Sequence, residues 1–245
     1  MIKLLSIGNS FSQDVTRYLY GIARADGVEM KIVNLYIGGC SLSRHYRNML
    51  SEGREYSYEL NGMKSGLWVS MKEALLSDEW DYVTIQQQSL KSTDYETFVP
   101  YLDALAAYVR KMAPMAKILL HQTWGYEPLS QKLIESPFET HEEMFAQIRE
   151  AYAKAADAID ADGILCSGET VLLANQIGAP CPYRDGFHLS KGFGRYLCGL
   201  VWYAMLTGND PISNPFDDFD VELSEDAVNQ AKQIAAEIVK KQKIN

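Results

Sequence analysis

Leu4-Leu5-Ser6-Ile7-Gly8-Asn9-Ser10-Phe11-Ser12 reads as a buried strand handing over to a helix. The apolar run breaks at Gly8-Asn9, and a helical pattern opens around residues 12–14. A hydroxyl at such a junction stands at the rim of a sheet, among the free N–H groups of a helix N-terminus and the partial positive charge behind them. Ser10 is therefore a candidate nucleophile. Gly-Asn-Ser is equally an ordinary turn ahead of an N-cap, so a nucleophilic role requires partners elsewhere in the chain.

Working outward, the same handover recurs. Short apolar strands are expected at 2–7, 31–36, 81–86, 117–122 and 163–166. Helical patterns follow at 13–25, 41–49, 70–77, 95–112, 140–159, 169–177, 190–206 and from 224 to 241. Strands alternating with helices imply a parallel sheet covered on both faces. Residues 55–69 differ: two runs flank Asn61-Gly62, the signature of a β-hairpin, read here as an insertion beside the site. No Gly-rich phosphate loop follows any strand, which argues against a nucleotide enzyme.

With 245 residues, 47% of them hydrophobic, the chain suits a single globular domain over 1–245. The net charge of −9 and the absence of a basic cluster argue against nucleic acid and anionic membranes as partners; homo-oligomerisation is left open. No apolar span or signal peptide is read, and Cys40, Cys166, Cys181 and Cys198 lack metal-site spacing. A reduced, cytoplasmic protein without disulfides is expected.

In an open parallel sheet, ligands bind beyond the carboxyl ends of the strands. Ser10 follows the first strand and Gly38-Gly39 the second; Gln86-Gln87-Gln88-Ser89 ends the third, and Trp124 lies after the fourth. Beyond the fifth comes Arg184-Asp185-Gly186-Phe187-His188. A serine needs a base to take its proton, and the base needs an acceptor to hold its tautomer. His188 and Asp185, three residues apart around a turn, supply both. Gly38 or Gly39 offers an unobstructed N–H for an oxyanion, the N–H of Ser10 a second, and the amide of Gln88 or Gln86 a third. Strand alternation would place Gln86 and Gln88 on one side if the strand persists that far. Asn9, Gln86 and Trp124 are further candidates for substrate contact.

Gly8-Asn9-Ser10-Phe11-Ser12, Ile37-Gly38-Gly39-Cys40-Ser41 and Asp185-Gly186-Phe187-His188, in this order, resemble the blocks of the SGNH, or GDSL-like, hydrolase superfamily. Within it they are similar to a bacterial branch that opens with Gly-Asn-Ser-Phe-Ser. The resemblance covers the chain from the first strand to the helix after His188. It implies a flavodoxin-like α/β/α sandwich with a five-stranded parallel sheet in the order 2-1-3-4-5. It also implies Ser10 as nucleophile, His188 and Asp185 as its partners, and Gly38 or Gly39 as an oxyanion donor. Two departures stand out. The nucleophile follows Gly-Asn rather than Gly-Asp, and the third block, normally G-x-N-D, reads Gln86-Gln87-Gln88-Ser89-Leu90. Asn9 or a glutamine would then replace the missing asparagine, with Gln88 favoured.

The expected activity is hydrolysis of small acyl, chiefly acetyl, esters on a carbohydrate, without metal or organic cofactor. Tyr56, Tyr58, Trp68 and Trp124 are the aromatic faces available to a sugar ring. Two alternatives remain at this stage: a non-catalytic saccharide-binding protein on the same scaffold, and a metal-dependent hydrolase using Asp185, His188 and His121.

Overall fold

The computed structural model describes residues 1–241; the last four residues of the expected 1–245 domain lie outside the described residues. Its centre is a sheet of five parallel strands: β2 (Met30–Tyr36), β1 (Ile2–Gly8), β5 (Tyr82–Ile85), β6 (Lys117–His121) and β7 (Gly163–Leu165), side by side in that order. Numbered among themselves along the chain they run 2-1-3-4-5, as expected. Leu5 pairs with Val33 on one side and Val83 on the other, and Val83 in turn with Ile118.

Alternation along these strands feeds two cores. Leu4, Ile32 and Leu119 join the core built with α1 (Ser10–Ala25), α7 (Ser167–Gln176), α8 (Phe193–Thr207) and α9 (Glu225–Lys241). Leu5, Val33, Val83, Ile118 and Leu120 join the core built with α2 (Leu42–Ser51), α4 (Tyr101–Met112) and α6 (His141–Ala158). Both faces of the sheet are therefore apolar, which explains why its strands read as continuous apolar runs. Each such side chain contributes about 1.5–3 kcal/mol by leaving water. Helix α8 is buried nearly all round because it packs against both α1 and α9. The layers are those of the expected sandwich.

The sheet has seven strands rather than five. The hairpin, β3 (Tyr56–Leu60) and β4 (Met63–Val69), adds to the free edge of β2, with β3 antiparallel to it through Leu35↔Tyr58 and Tyr36↔Ser57. Asn61 and Gly62 both adopt positive φ (52° and 78°), as the tight two-residue turn requires. The short helix α3 (Met71–Leu75) opens with a complete capping box, in which Ser70 and Glu73 satisfy each other's backbone N–H.

Other differences are local. The helix expected over 95–112 is broken: a 3-10 turn at Tyr95–Thr97 precedes α4, because Pro100 has no N–H to give to a continuing helix. A four-residue helix, α5 (Gln131–Ile134), was not anticipated. The third parallel strand stops at Ile85, so the glutamine run is loop. Among the described residues no helix is long and apolar enough to cross a membrane, and all four cysteines are unpaired.

Candidate active site

Helix α1 begins at Ser10 itself, a turn earlier than expected. Asn9 caps it, its Oδ1 accepting from the Phe11 N–H at 2.9 Å. Gly8 makes the sharp exit from β1 feasible: a Cβ there would stand 2.4 Å from Ser12 Oγ and 2.6 Å from Gln86 Oε1. Ser10 thus occupies the first helical turn, where the helix dipole favours negative charge.

The loop from Tyr183 to Leu189 closes on itself through an antiparallel bridge between those two residues. It brings His188 over the helix start. His188 Nε2 lies 2.9 Å from Ser10 Oγ, and His188 Nδ1 lies 2.8 Å from Asp185 Oδ2. The other carboxylate oxygen of Asp185 accepts from the His188 backbone N–H at 2.9 Å, so one side chain orients both ring and backbone. An acceptor at Nδ1 keeps the proton on that nitrogen and leaves the Nε2 lone pair facing the hydroxyl. Burial pushes the Asp185 carboxyl up, but the His188 backbone and ring bonds, with Arg184 beside them, outweigh it; the net shift is downward. The carboxylate accordingly stays ionised at neutral pH.

Gly38 and Gly39 form the exposed tip of a turn closed by Cys40 N–H to Ile37 carbonyl at 3.2 Å, with Gly39 at φ +61°. The turn is tied down from beneath. Asn9 Nδ2 donates to the Cys40 carbonyl at 3.0 Å, and Gln87 Oε1 accepts from Leu42 N–H at 2.9 Å.

The three low-lying polar candidates are placed differently from expectation. Asn9 is only 2% exposed and ties helix, turn and sheet together rather than facing a ligand. Gln86 is equally buried, donating to Asn9 Oδ1 and accepting from His121 Nδ1, each at 2.9 Å. Burying an amide is costly unless both ends are bonded, and here they are. Gln88, expected on the same side as Gln86, sits in its own turn. Its Nε2 donates to Ser89 Oγ and its Oε1 accepts from Lys91 N–H, each at 3.1 Å. The strand ends before it, so the alternation that paired it with Gln86 no longer applies.

Trp124 is fully buried and not a substrate face. It stacks on Phe11 (centroids 4.0 Å apart, planes 4° apart), and its Nε1 donates to the Phe187 carbonyl at 2.7 Å. It therefore wedges the helix that bears Ser10 against the loop that bears His188. Trp124→Phe is expected to cost about 1–3 kcal/mol in urea unfolding, because it takes the donor away from a part-buried carbonyl. Unchanged stability would mean that the carbonyl finds another donor. Tyr56 is likewise buried, bonded to His45 Nδ1 at 2.9 Å. Trp68, 62% exposed on β4, remains open to solvent.

His121 does not join Asp185 and His188: it is buried against Gln86 and edge-on to Trp202. The described residues contain no group of three or more His, Cys, Asp or Glu arranged to hold a metal ion. What the sequence reading missed is the polar scaffold: the chain His121–Gln86–Asn9–Cys40, and the contacts of Asp14 with Arg184 and Arg195. The available signals were the four-residue spacing from Ser10 to Asp14, which is one helical turn, and the arginine directly before Asp185.

The layered sheet and the placement of these residues beyond its strand ends define the fold class of the SGNH, or GDSL-like, hydrolases. Two solved structures share it: a protein from Slackia heliotrinireducens proposed as an SGNH hydrolase (TM-score 0.60, 23% identity, 84% of this chain and 98% of that one), and a member of the lipolytic protein G-D-S-L family from Veillonella parvula (TM-score 0.50, 14% identity, 84% and 98%). The chain belongs to the family described as Domain of unknown function (DUF4886), whose family model matches residues 3–237. A DUF4886 family protein from Bacteroides uniformis aligns over 100% of this chain and 97% of its own, at 31% identity and a TM-score of 0.87. No curated protein matches the chain in sequence.

Proposed function

We propose that the protein is a serine hydrolase of small acyl esters. The observation that carries this is the continuous path Asp185 Oδ2–His188 Nδ1, His188 Nε2–Ser10 Oγ, with both separations at hydrogen-bond length. His188 takes the Ser10 proton as Oγ attacks the ester carbonyl, and Asp185 stabilises the imidazolium that forms. The N–H groups of Ser10 and Gly39, or Gly38, are the donors proposed for the oxyanion. His188 then protonates the departing alcohol. Water, deprotonated by the same imidazole, attacks the acyl-enzyme and releases the acid. Gln88 holds a third-donor role only if its side chain leaves its own turn.

The acyl group proposed is acetyl and the alcohol a carbohydrate. Support comes from the hairpin, which lies beside β2 and hence beside the Gly38-Gly39 turn that follows it. Its Trp68 pairs with Ser57, which pairs with Tyr36 at the site end of β2. An exposed indole there suits a sugar face.

The test is a fluorophosphonate probe read by intact mass, followed by acetylated sugars against p-nitrophenyl acetate. One adduct on the wild type, absent in His188→Ala, is expected, with higher kcat/KM for the sugars. No adduct on folded protein would sink the hydrolase reading in favour of a saccharide-binding protein. Equal kcat/KM for the two substrate types would remove the sugar.

A further inference from the structure

Asp14 is a carboxylate with 0% exposure in a part of the molecule where the proposed chemistry gives it no task. It lies one turn along α1 from Ser10, on the same helix face. Its partners are specific. Asp14 Oδ2 accepts from the Leu189 N–H at 3.1 Å and from Arg184 Nη1 at 2.9 Å. Its Oδ1 accepts from Arg184 Nη1 at 3.0 Å and from Arg195 Nε at 2.9 Å. Arg184 Nη1 also donates to the Leu189 carbonyl, and the Arg184 N–H donates to the His188 carbonyl at 3.0 Å.

Arg184 and Leu189 are the two feet of the loop that carries Asp185 and His188. One carboxylate therefore grips the chain as it enters that loop and again as it leaves. The helix bearing this carboxylate also bears Ser10, so the separation between hydroxyl and imidazole is fixed by two short lever arms from a common point. Arg195, from α8, completes the charge balance and reaches on to Asp220 at 3.2 Å. An isolated buried carboxylate would be prohibitively costly; two guanidinium groups and an N–H make it tenable and geometrically demanding.

We propose that Asp14 is a positioning residue, whose carboxylate holds the Asp185–His188 loop in register with Ser10. The kinetic part of this inference rests on the serine-hydrolase reading above; the geometric part does not. Asp14→Asn keeps the size but turns an acceptor into a donor facing guanidinium groups.

The experiment compares Asp14→Asn, Asp14→Glu and Arg184→Lys with wild type on p-nitrophenyl acetate, each checked by circular dichroism and solved by crystallography. Ser70→Ala serves as a control for lost stability alone: it unseats the cap of α3 and lowers Tm by about 3 °C with kcat unchanged. For Asp14→Asn, kcat is expected to fall about 10- to 100-fold with KM within about twofold, since a small displacement of reacting groups slows chemistry without weakening binding. Asp14→Glu is expected to recover part of the loss, and the Ser10 Oγ to His188 Nε2 separation in the Asn variant to open beyond about 3.5 Å. If Asp14→Asn does not fold, Arg184→Lys carries the same expectations. A folded variant with wild-type kcat, or with the 2.9 Å contact intact, overturns the proposal. If wild type itself takes no fluorophosphonate, the hydrolase reading falls separately, and the crystallographic separation still decides the role of Asp14.

Discussion

Ser10→Ala is expected to lower kcat for ester hydrolysis by about 10⁴-fold or more while leaving Tm within a degree or two of wild type. The magnitude follows from what is lost. Without Oγ there is no acyl-enzyme, and the residual rate comes only from binding and the oxyanion donors. The stability expectation follows from position: Ser10 is half-buried at the first turn of α1, and the capping bond belongs to Asn9, not to Ser10. Asp185→Asn is expected to fall in a similar range by a different route, because an amide can hold His188 in the tautomer that presents N–H, not a lone pair, to Ser10. The measurement is single-turnover and steady-state hydrolysis of p-nitrophenyl acetate. A Ser10→Ala variant retaining a tenth of wild-type kcat would place the nucleophile elsewhere.

The second large effect concerns acid. His45 and His121 are fully buried, and burial pushes each down to about 3, with Arg44 adding to the effect on His45. In both, Nδ1 has a partner and the buried Nε2 has none, so a proton there would meet no acceptor. Unfolded histidines take up a proton near pH 6.5, whereas the folded ones resist until about 3. Between these values the unfolded chain binds more protons, so stability falls as pH falls, by about 1.4 kcal/mol per unit for each residue. From pH 7.5 to 5 the two together remove about 4 kcal/mol, a large share of the roughly 5–15 kcal/mol that holds a typical domain folded. His141, lowered by burial as well, acts in the same direction. Glu73 does not contribute in this window: Arg54 and the Ser70 backbone N–H hold it at about 2, and its loss begins lower. Urea unfolding at pH 7.5 and 5.0 measures the difference. A midpoint that does not move would mean that these imidazoles find water or a partner on protonation.

The layered sheet was legible because its strands are short, apolar and punctuated, and because parallel order follows from helices intervening at each step. Ser10 and the Asp185–His188 pair were legible because a strand-to-helix turn and a three-residue spacing are local features of the chain. Asn61-Gly62 announced the hairpin for the same reason. What the hairpin does was not local: its pairing with β2 spans an intervening helix, and nothing in residues 55–69 states which edge it joins. Gln86, Gln87 and Gln88 show a further boundary. Identical side chains in a row take three separate environments once the strand ends at Ile85. Trp124, beyond the fourth parallel strand, and Tyr56, in the hairpin insertion, read as aromatic faces open to a sugar, but burial is decided by what packs on top. For Trp124 that is Phe11 and the Phe187 carbonyl. Asp14, among the unremarkable polar residues of α1, acquires its meaning only from two arginines more than 160 positions away.

The added hairpin also bears on how the molecule behaves in a crowd. An open sheet edge exposes unpaired N–H and C=O groups, a template for self-association. Were β2 the last strand, that template would border the Gly38-Gly39 turn, and any chain adding to it would intrude on the site. With β3 and β4 in place the rim lies two strands farther out, on β4, where Lys64 places a charge and Gly66 adopts a positive φ of 80°. Charge and irregular backbone on the rim both oppose a further strand, so the hairpin acts as a spacer that keeps the chain's aggregation-prone border away from the proposed oxyanion donors.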